Sequence, residues 1–165
     1  MRKTIFPLVL LATITAANAD TRPHLCARGE EAVFACATGA KLVSLCASPD
    51  ITANSGTLRY LFGTRAKIEL AHPAAGISPR AAFSRGVTGG TAGGADFLRF
   101  GREGVTYTLF SDHYRGRERD GLVVERGGKR ITVLICRGSA LNPDKNWGTI
   151  YNAGLPDISP DFETP

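Results

Sequence analysis

Apolar and polar residues alternate over several short stretches of the chain. Val105, Tyr107 and Leu109 oppose Thr106 and Thr108, and Ile131, Val133 and Ile135 oppose Thr132 and Leu134. A period of two is the mark of a strand with one buried face. Runs rich in β-branched and aromatic residues, bounded by turn formers, predict strands at 31–37, 41–47, 57–63, 66–72, 96–101, 105–111, 122–126 and 129–136. Between the last two, Arg126-Gly127-Gly128-Lys129 is a tight-turn signal, because two glycines supply the positive φ that such a hairpin needs. No window sustains a 3.6-residue period with caps, so little helix is expected. Short connections make sequential strands antiparallel neighbours. The expected fold is all-β, an antiparallel meander forming a small barrel or a sandwich.

Two stretches break the pattern. Residues 72–95 hold two prolines and six glycines and leave room for one short strand around 81–84. The run "RGVTGGTAGGADF" in that stretch resembles a phosphate loop only superficially. It leads into a strand, so the helix N-terminus that would receive a phosphate is missing, and a flexible or bulged connection is expected instead. Residues 137–165 contain four prolines and end in an acidic stretch. Trp147, Ile150, Tyr151, Leu155 and Phe162 are the side chains that would pin this tail across a single β domain spanning 20–136.

The start of the chain reads as an export signal. "MRK" is a basic opening, an apolar run follows, and "ANA" at 17–19 is a small-x-small cleavage site. The run is too short to span a bilayer, and no membrane span is expected elsewhere. Cleavage after Ala19 leaves 146 of the 165 residues and removes Arg2 and Lys3, so the formal charge falls from +5 to +3. That mild excess, the periplasmic or secreted location it accompanies, and the lack of a base-stacking motif argue against nucleic acid as a partner.

All four cysteines, Cys26, Cys36, Cys46 and Cys136, lie in the exported part, which predicts two disulfides. Their spacing fits no zinc pattern, and the three histidines, His24, His72 and His113, show no ligand spacing either, so neither metal nor cofactor is expected. A hairpin turning at Thr38 and Gly39 sets Cys36 against 41–43 and Cys46 against 31–33. Each residue of strand adds about 3.4 Å, whereas a disulfide needs its Cα atoms within about 7 Å. Cys36–Cys46 is therefore disfavoured. Two pairings remain open: Cys26–Cys46 with Cys36–Cys136, or Cys26–Cys36 with Cys46–Cys136.

The densest polar stretch is "SDHYRGRERDG" at 111–121, with three arginines, three acids, a histidine and a tyrosine. It reads first as a solvated hairpin tip in which Asp112, Glu118 and Asp120 pair loosely with Arg115, Arg117 and Arg119. Its second reading is a contact site. Arginine forks onto carboxylates, and Tyr114 is an effective contact anchor. Catalysis finds less support. Ser111, Asp112 and His113 alternate between strand faces and form no relay by adjacency. No pair among Glu30, Glu31, Glu69, Asp96, Glu103, Glu118 and Glu125 stands out as a glycosidase acid pair. Arg59 and Arg99 are expected on solvent faces, their stems covering apolar neighbours.

Within 54–60, "NSGTLRY", this β-rich, disulfide-tied chain resembles the periplasmic lysozyme inhibitors. In that family a small antiparallel barrel presents a Ser-Gly-x-x-Tyr loop to the lysozyme cleft, and a second loop carries a basic residue. The match falls on Ser55 and Gly56; Tyr60 comes one position late, and no tyrosine here is followed by Thr-Lys-Gly. The resemblance implies an exported, non-enzymatic inhibitor of a cell-wall hydrolase or another envelope protein. Ser55, Gly56, Tyr60, Tyr114, Arg115 and Arg117 would then be the partner-binding residues. The alternatives are an envelope-maintenance module with no enzyme target, and a hydrolase whose acid pair is assembled only by the fold.

Overall fold

Thr38 and Gly39 form the first turn, and the hairpin around them sets the frame of the molecule. The computed structural model describes residues 22–141, 147–159 and 161–165; the export-signal expectation over 1–19 lies outside them. Strands β1 (Glu31–Thr38) and β2 (Lys41–Ala47) pair with Cys36 opposite Val43 and Cys46 opposite Ala32, close to the expected register. Strands β3 (Leu58–Thr64) and β4 (Lys67–His72) complete a four-stranded antiparallel sheet in chain order. A single helical turn, α1 (Pro79–Ala82), leads to the second sheet. That sheet is also a meander, of β5 (Ser84–Gly90), β6 (Gly93–Arg102), β7 (Val105–Tyr114), β8 (Arg117–Arg126) and β9 (Lys129–Ile135). The sheets remain separate and do not close into a barrel. They share one core, so the fold is a sandwich.

Phe34, Val43, Leu45, Leu58 and Tyr60 from the first sheet meet Leu98, Phe100, Leu109 and Leu122 from the second. Each such side chain contributes about 1.5–3 kcal/mol by leaving water. Phe100 stacks nearly parallel to Tyr107 and to His72, with centroids 4.8 and 4.3 Å away. Burial of His72 against these rings pushes its pKa down, and the Arg102 charge acts in the same direction; a hydrogen bond to the Ala82 carbonyl opposes them without reversing the sign.

The disulfides are Cys26–Cys46 and Cys36–Cys136, each with Cα atoms 5.4 Å apart. This selects the first of the two open pairings. The first bridge fastens residues 22–30 to the outer face of the first sheet. There the Leu25 amide also donates to the buried Ser44 hydroxyl, at 3.0 Å. The second bridge ties β1 to the residue that follows β9.

Three expectations are corrected. Ala81 and Ala82 belong to α1 and not to a strand, because Pro79 pre-sets the helical φ of that turn. The glycine run forms the regular hairpin β5–β6, in which Gly86, Gly93 and Gly94 leave space for neighbours. The Phe97 ring fills the place of a Gly86 side chain, and the Thr88 carbonyl lies 2.2 Å from where a Gly94 Cβ would stand. Arg99 is largely covered, because the C-terminal tail lies over it. Its Nε donates to the buried Thr108 hydroxyl at 3.1 Å, and its Nη1 to Asp161 at 3.0 Å.

The tail is pinned as its apolar residues predict. Trp147, Ile150 and Leu155 enter the main core around the short helix α2 (Gly148–Asn152). Tyr151 is held by its polar end, its hydroxyl donating to Asp96 at 2.8 Å. Phe162 joins a separate cluster with Phe97, Phe110 and Val123 on the outer face of the second sheet. Each sheet is thus covered on its outer side by one end of the chain.

Candidate functional site: the β7–β8 tip

The stretch 111–121 is not a loop. Strands β7 and β8 run through it, with Tyr114 opposite Arg117, so only Arg115 and Gly116 form the turn. Their φ values of 49° and 75° are those of a two-residue hairpin whose twist matches its strands. Glycine supplies the second of these without strain; Arg115 is held in the first. Two contacts from the neighbouring hairpin fix it there. The Arg115 amide donates to the Ala92 carbonyl at 2.9 Å. Gly93 packs so closely that a Cβ would come within 2.0 Å of the His113 carbonyl. The tip is a buttressed projection.

Period two then sorts its side chains. Asp112, Tyr114, Arg117 and Arg119 share one face, and Ser111, His113, Glu118 and Asp120 the other. Tyr114 is half exposed, and the Arg115 guanidinium lies 5.3 Å from its ring centroid. Asp112 is buried and accepts from Arg119 Nη2 at 3.3 Å. Arg117 and Glu118 have no ion-pair partner among the described residues. Asp120 does not pair with arginine as expected. Its buried carboxylate accepts from the Ala140 amide at 2.7 Å, and its carbonyl from the Cys136 amide at 3.0 Å, so it anchors the chain leaving β9. A cleft of about 520 Å³ opens beside the tip, lined by Asp112, Tyr114, Arg117, Glu118, Arg119 and Thr164.

The structure brings together Tyr114, Arg115 and Arg117 and leaves the other three candidates elsewhere. Ser55 and Gly56 lie on the β2–β3 connection of the first sheet. The Ser55 hydroxyl donates to the Asp50 carbonyl at 2.8 Å and meets the Thr52 hydroxyl at 2.8 Å, so it is engaged in shaping its own loop. Gly56 has φ of 82° and fits against Ile51, whose Cα would be 2.5 Å from an added Cβ. Tyr60 is corrected from contact residue to core residue. It is fully buried, burial pushes its phenol well above the usual range, and its hydroxyl finds no hydrogen-bond partner among the described residues.

Sequence reasoning placed Arg119 among the tip's ion pairs but not among its contact residues, and did not anticipate Thr164. The Arg-x-Arg spacing of Arg117 and Arg119 signals a strand stripe, legible once Arg115-Gly116 is read as the turn. Thr164 carries no such signal, since only the path of the tail brings it near. Asp112 and Glu118 border one cleft but face Arg119 and His113 respectively across the hairpin, not one another. Among the described residues no group of His, Cys, Asp or Glu is arranged to hold a metal ion, and no helix is long and apolar enough to cross a membrane. No family model, curated protein or solved structure matches the chain.

Proposed function

We propose that the chain is an exported, non-enzymatic binding protein that uses the β7–β8 tip to block a cell-wall hydrolase of the lysozyme type. The observation that carries this reading is the pairing of rigidity with unspent charge. Tyr114, Arg115 and Arg117 stand on a buttressed two-residue turn, and neither Arg115 nor Arg117 is ion-paired to an acid among the described residues. Hydrolase clefts of this kind carry carboxylates, onto which guanidinium groups fork with two parallel bonds. A preorganised tip loses little conformational entropy on entering such a cleft. The two disulfides are consistent with a chain that works outside the cytoplasm.

The reading rests on the tip and not on the Ser55 loop. It is tested by adding the mature chain to muramidases of several structural types in a turbidity assay. Inhibition that falls at least about tenfold, roughly 1.4 kcal/mol, with Arg115→Asn plus Arg117→Ala is the expected result. Asparagine is chosen at position 115 because it tolerates positive φ. Absence of inhibition across chicken-, goose-, invertebrate- and plant-type enzymes removes the proposal.

A further inference from the structure

The two ends of the chain cover the outer faces of the two sheets by different means. Residues 22–30 are locked by the Cys26–Cys46 bridge. Residues 156–165 contain no cysteine, so residues 156–159 and 161–165 are held by non-covalent contacts. They begin with a single parallel bridge at the β5 edge, where the Arg85 amide donates to the Pro156 carbonyl at 2.9 Å and the Ile158 amide donates to the Arg85 carbonyl at 2.8 Å. The tail then crosses the second sheet. Arg85 holds Asp157 at 2.9 Å and Arg99 holds Asp161 at 3.0 Å, while Arg130 donates to the Glu163 carbonyl. Phe162 sits over Phe97 and Phe110, with centroids 5.1 and 5.8 Å away.

These are the parts of a peptide-recognition surface: a strand edge for the backbone, a pocket for one side chain, and cations at fixed intervals. The acids are exposed, with 72% of the Asp157 side chain and 67% of the Asp161 side chain accessible, so each ion pair holds weakly and in a salt-dependent way. Phe162 is the one deep anchor of the last five residues. Nothing in this arrangement requires that the occupant belong to the same chain.

We infer that the outer face of the second sheet is a docking surface for an extended acidic segment of a partner protein, closed in cis by the chain's own tail. The segment it fits carries two acids four residues apart with an aromatic residue directly after the second, as Asp157, Asp161 and Phe162 do. The surface lies on the same face of the second sheet as Asp112, Tyr114, Arg117 and Arg119, further from the turn, and does not depend on the hydrolase reading. Thr164, at the border of the tip cleft, is where occupancy of one surface would be felt at the other.

The test uses the full mature chain with Asp161→Asn and Phe162→Ala, which unseats the tail but keeps it attached. The probe is a labelled synthetic peptide of residues 156–165, followed by fluorescence anisotropy. It should bind this variant at least tenfold more tightly than the unmodified chain, whose tethered tail competes at an effective concentration on the order of millimolar. A shuffled peptide, or one with Phe162→Ala, should lose at least tenfold, and Arg99→Gln in the protein should weaken binding. Should the variant fail to fold, excess peptide added to the unmodified chain should speed hydrogen exchange at the Ile158 amide. Equal binding to variant and unmodified chain, equal binding of shuffled peptide, or unchanged Ile158 exchange would overturn the inference. So would a dimer of the unmodified chain that dissociates on Phe162→Ala, since it assigns the surface to the tail of a second copy.

Discussion

Arg59 grips Glu30 with both arms of its guanidinium, Nε donating to Oε1 at 2.9 Å and Nη2 to Oε2 at 2.8 Å. The Ala27 amide adds a third bond to the same carboxylate, at 2.7 Å. The cluster closes the N-terminal segment onto the first sheet, just beyond the Cys26–Cys46 bridge. Burial alone would push the Glu30 carboxyl up; the Arg59 hydrogen bonds, the Ala27 amide and the Arg59 charge outweigh it and hold the group below its usual range. A depressed carboxyl stabilises the fold above its unfolded value, roughly 4.3, and that stabilisation is lost as pH falls through the lower folded value. Glu30→Gln should therefore cost about 1 kcal/mol at neutral pH, the partly exposed Arg59 keeping the figure small. The difference from the unmodified chain should shrink steadily below about pH 4. Urea denaturation at several pH values measures both; a difference that grows in acid would contradict the assignment.

Tyr60 gives the opposite expectation for a polar group. Its ring belongs in the core, 4.8 Å from that of Phe100, but its hydroxyl is enclosed without a partner. A buried hydroxyl left unpaired costs about 1–3 kcal/mol of desolvation. Tyr60→Phe removes the oxygen and keeps the ring, so stability should stay level or rise by up to about 1 kcal/mol. Binding at the tip should be untouched. A loss of more than about 1 kcal/mol would mean that the hydroxyl is bonded in solution.

The fold was legible where local chemistry decides it. Alternation in 105–109 and 131–135 located two strands, although in β9 it misassigned the buried face, since Ile131 and Ile135 are exposed and Leu134 packs on the main core. The hairpin register narrowed four cysteines to two pairings. The choice between those pairings needed the path of the chain after β9, set by Asp120 accepting the Ala140 amide across twenty residues of sequence. The glycine run misled because some of its glycines serve distant neighbours: Gly86 makes room for Phe97, eleven positions away. The tip was legible in composition but not in shape, because charged residues lower the apparent strand propensity of a hairpin that is nonetheless fully paired. Tyr60 and Ser55 were drawn from a resemblance in sequence, and burial and loop hydrogen bonding place both in structural roles.

The two disulfides should contribute unequally. Cys26–Cys46 closes a separation of 20 residues and Cys36–Cys136 one of 100. On the chain-entropy account, stabilisation grows with the logarithm of the loop, so the longer bridge should be worth about 1.4 kcal/mol more. Paired replacement by alanine, Cys36→Ala with Cys136→Ala against Cys26→Ala with Cys46→Ala, compares them in guanidinium unfolding. Equal losses would show that native packing around the shorter bridge matters as much as loop closure.

Gly121 tests how tightly the second sheet is built. It pairs with Phe110, and a Cβ there would stand 2.6 Å from the Leu134 carbonyl and 2.9 Å from the Phe110 ring. The carbonyl belongs to the β8–β9 ladder and cannot yield without breaking pairing, and Phe110 cannot yield without disturbing Phe162 above it. Gly121→Ala should therefore cost about 1–3 kcal/mol, the range for overfilling a packed site. Gly89, in β5, offers the contrast: it has no neighbour within 4 Å of the added atom and no positive φ. Gly89→Ala should leave stability within about 0.5 kcal/mol, with restriction of the unfolded chain acting in its favour. Thermal melts of both variants decide the matter. If the two substitutions cost the same, the loss comes from replacing glycine in a strand at all; a larger cost at position 121 assigns it to the close approach of β9 and the Phe110 ring.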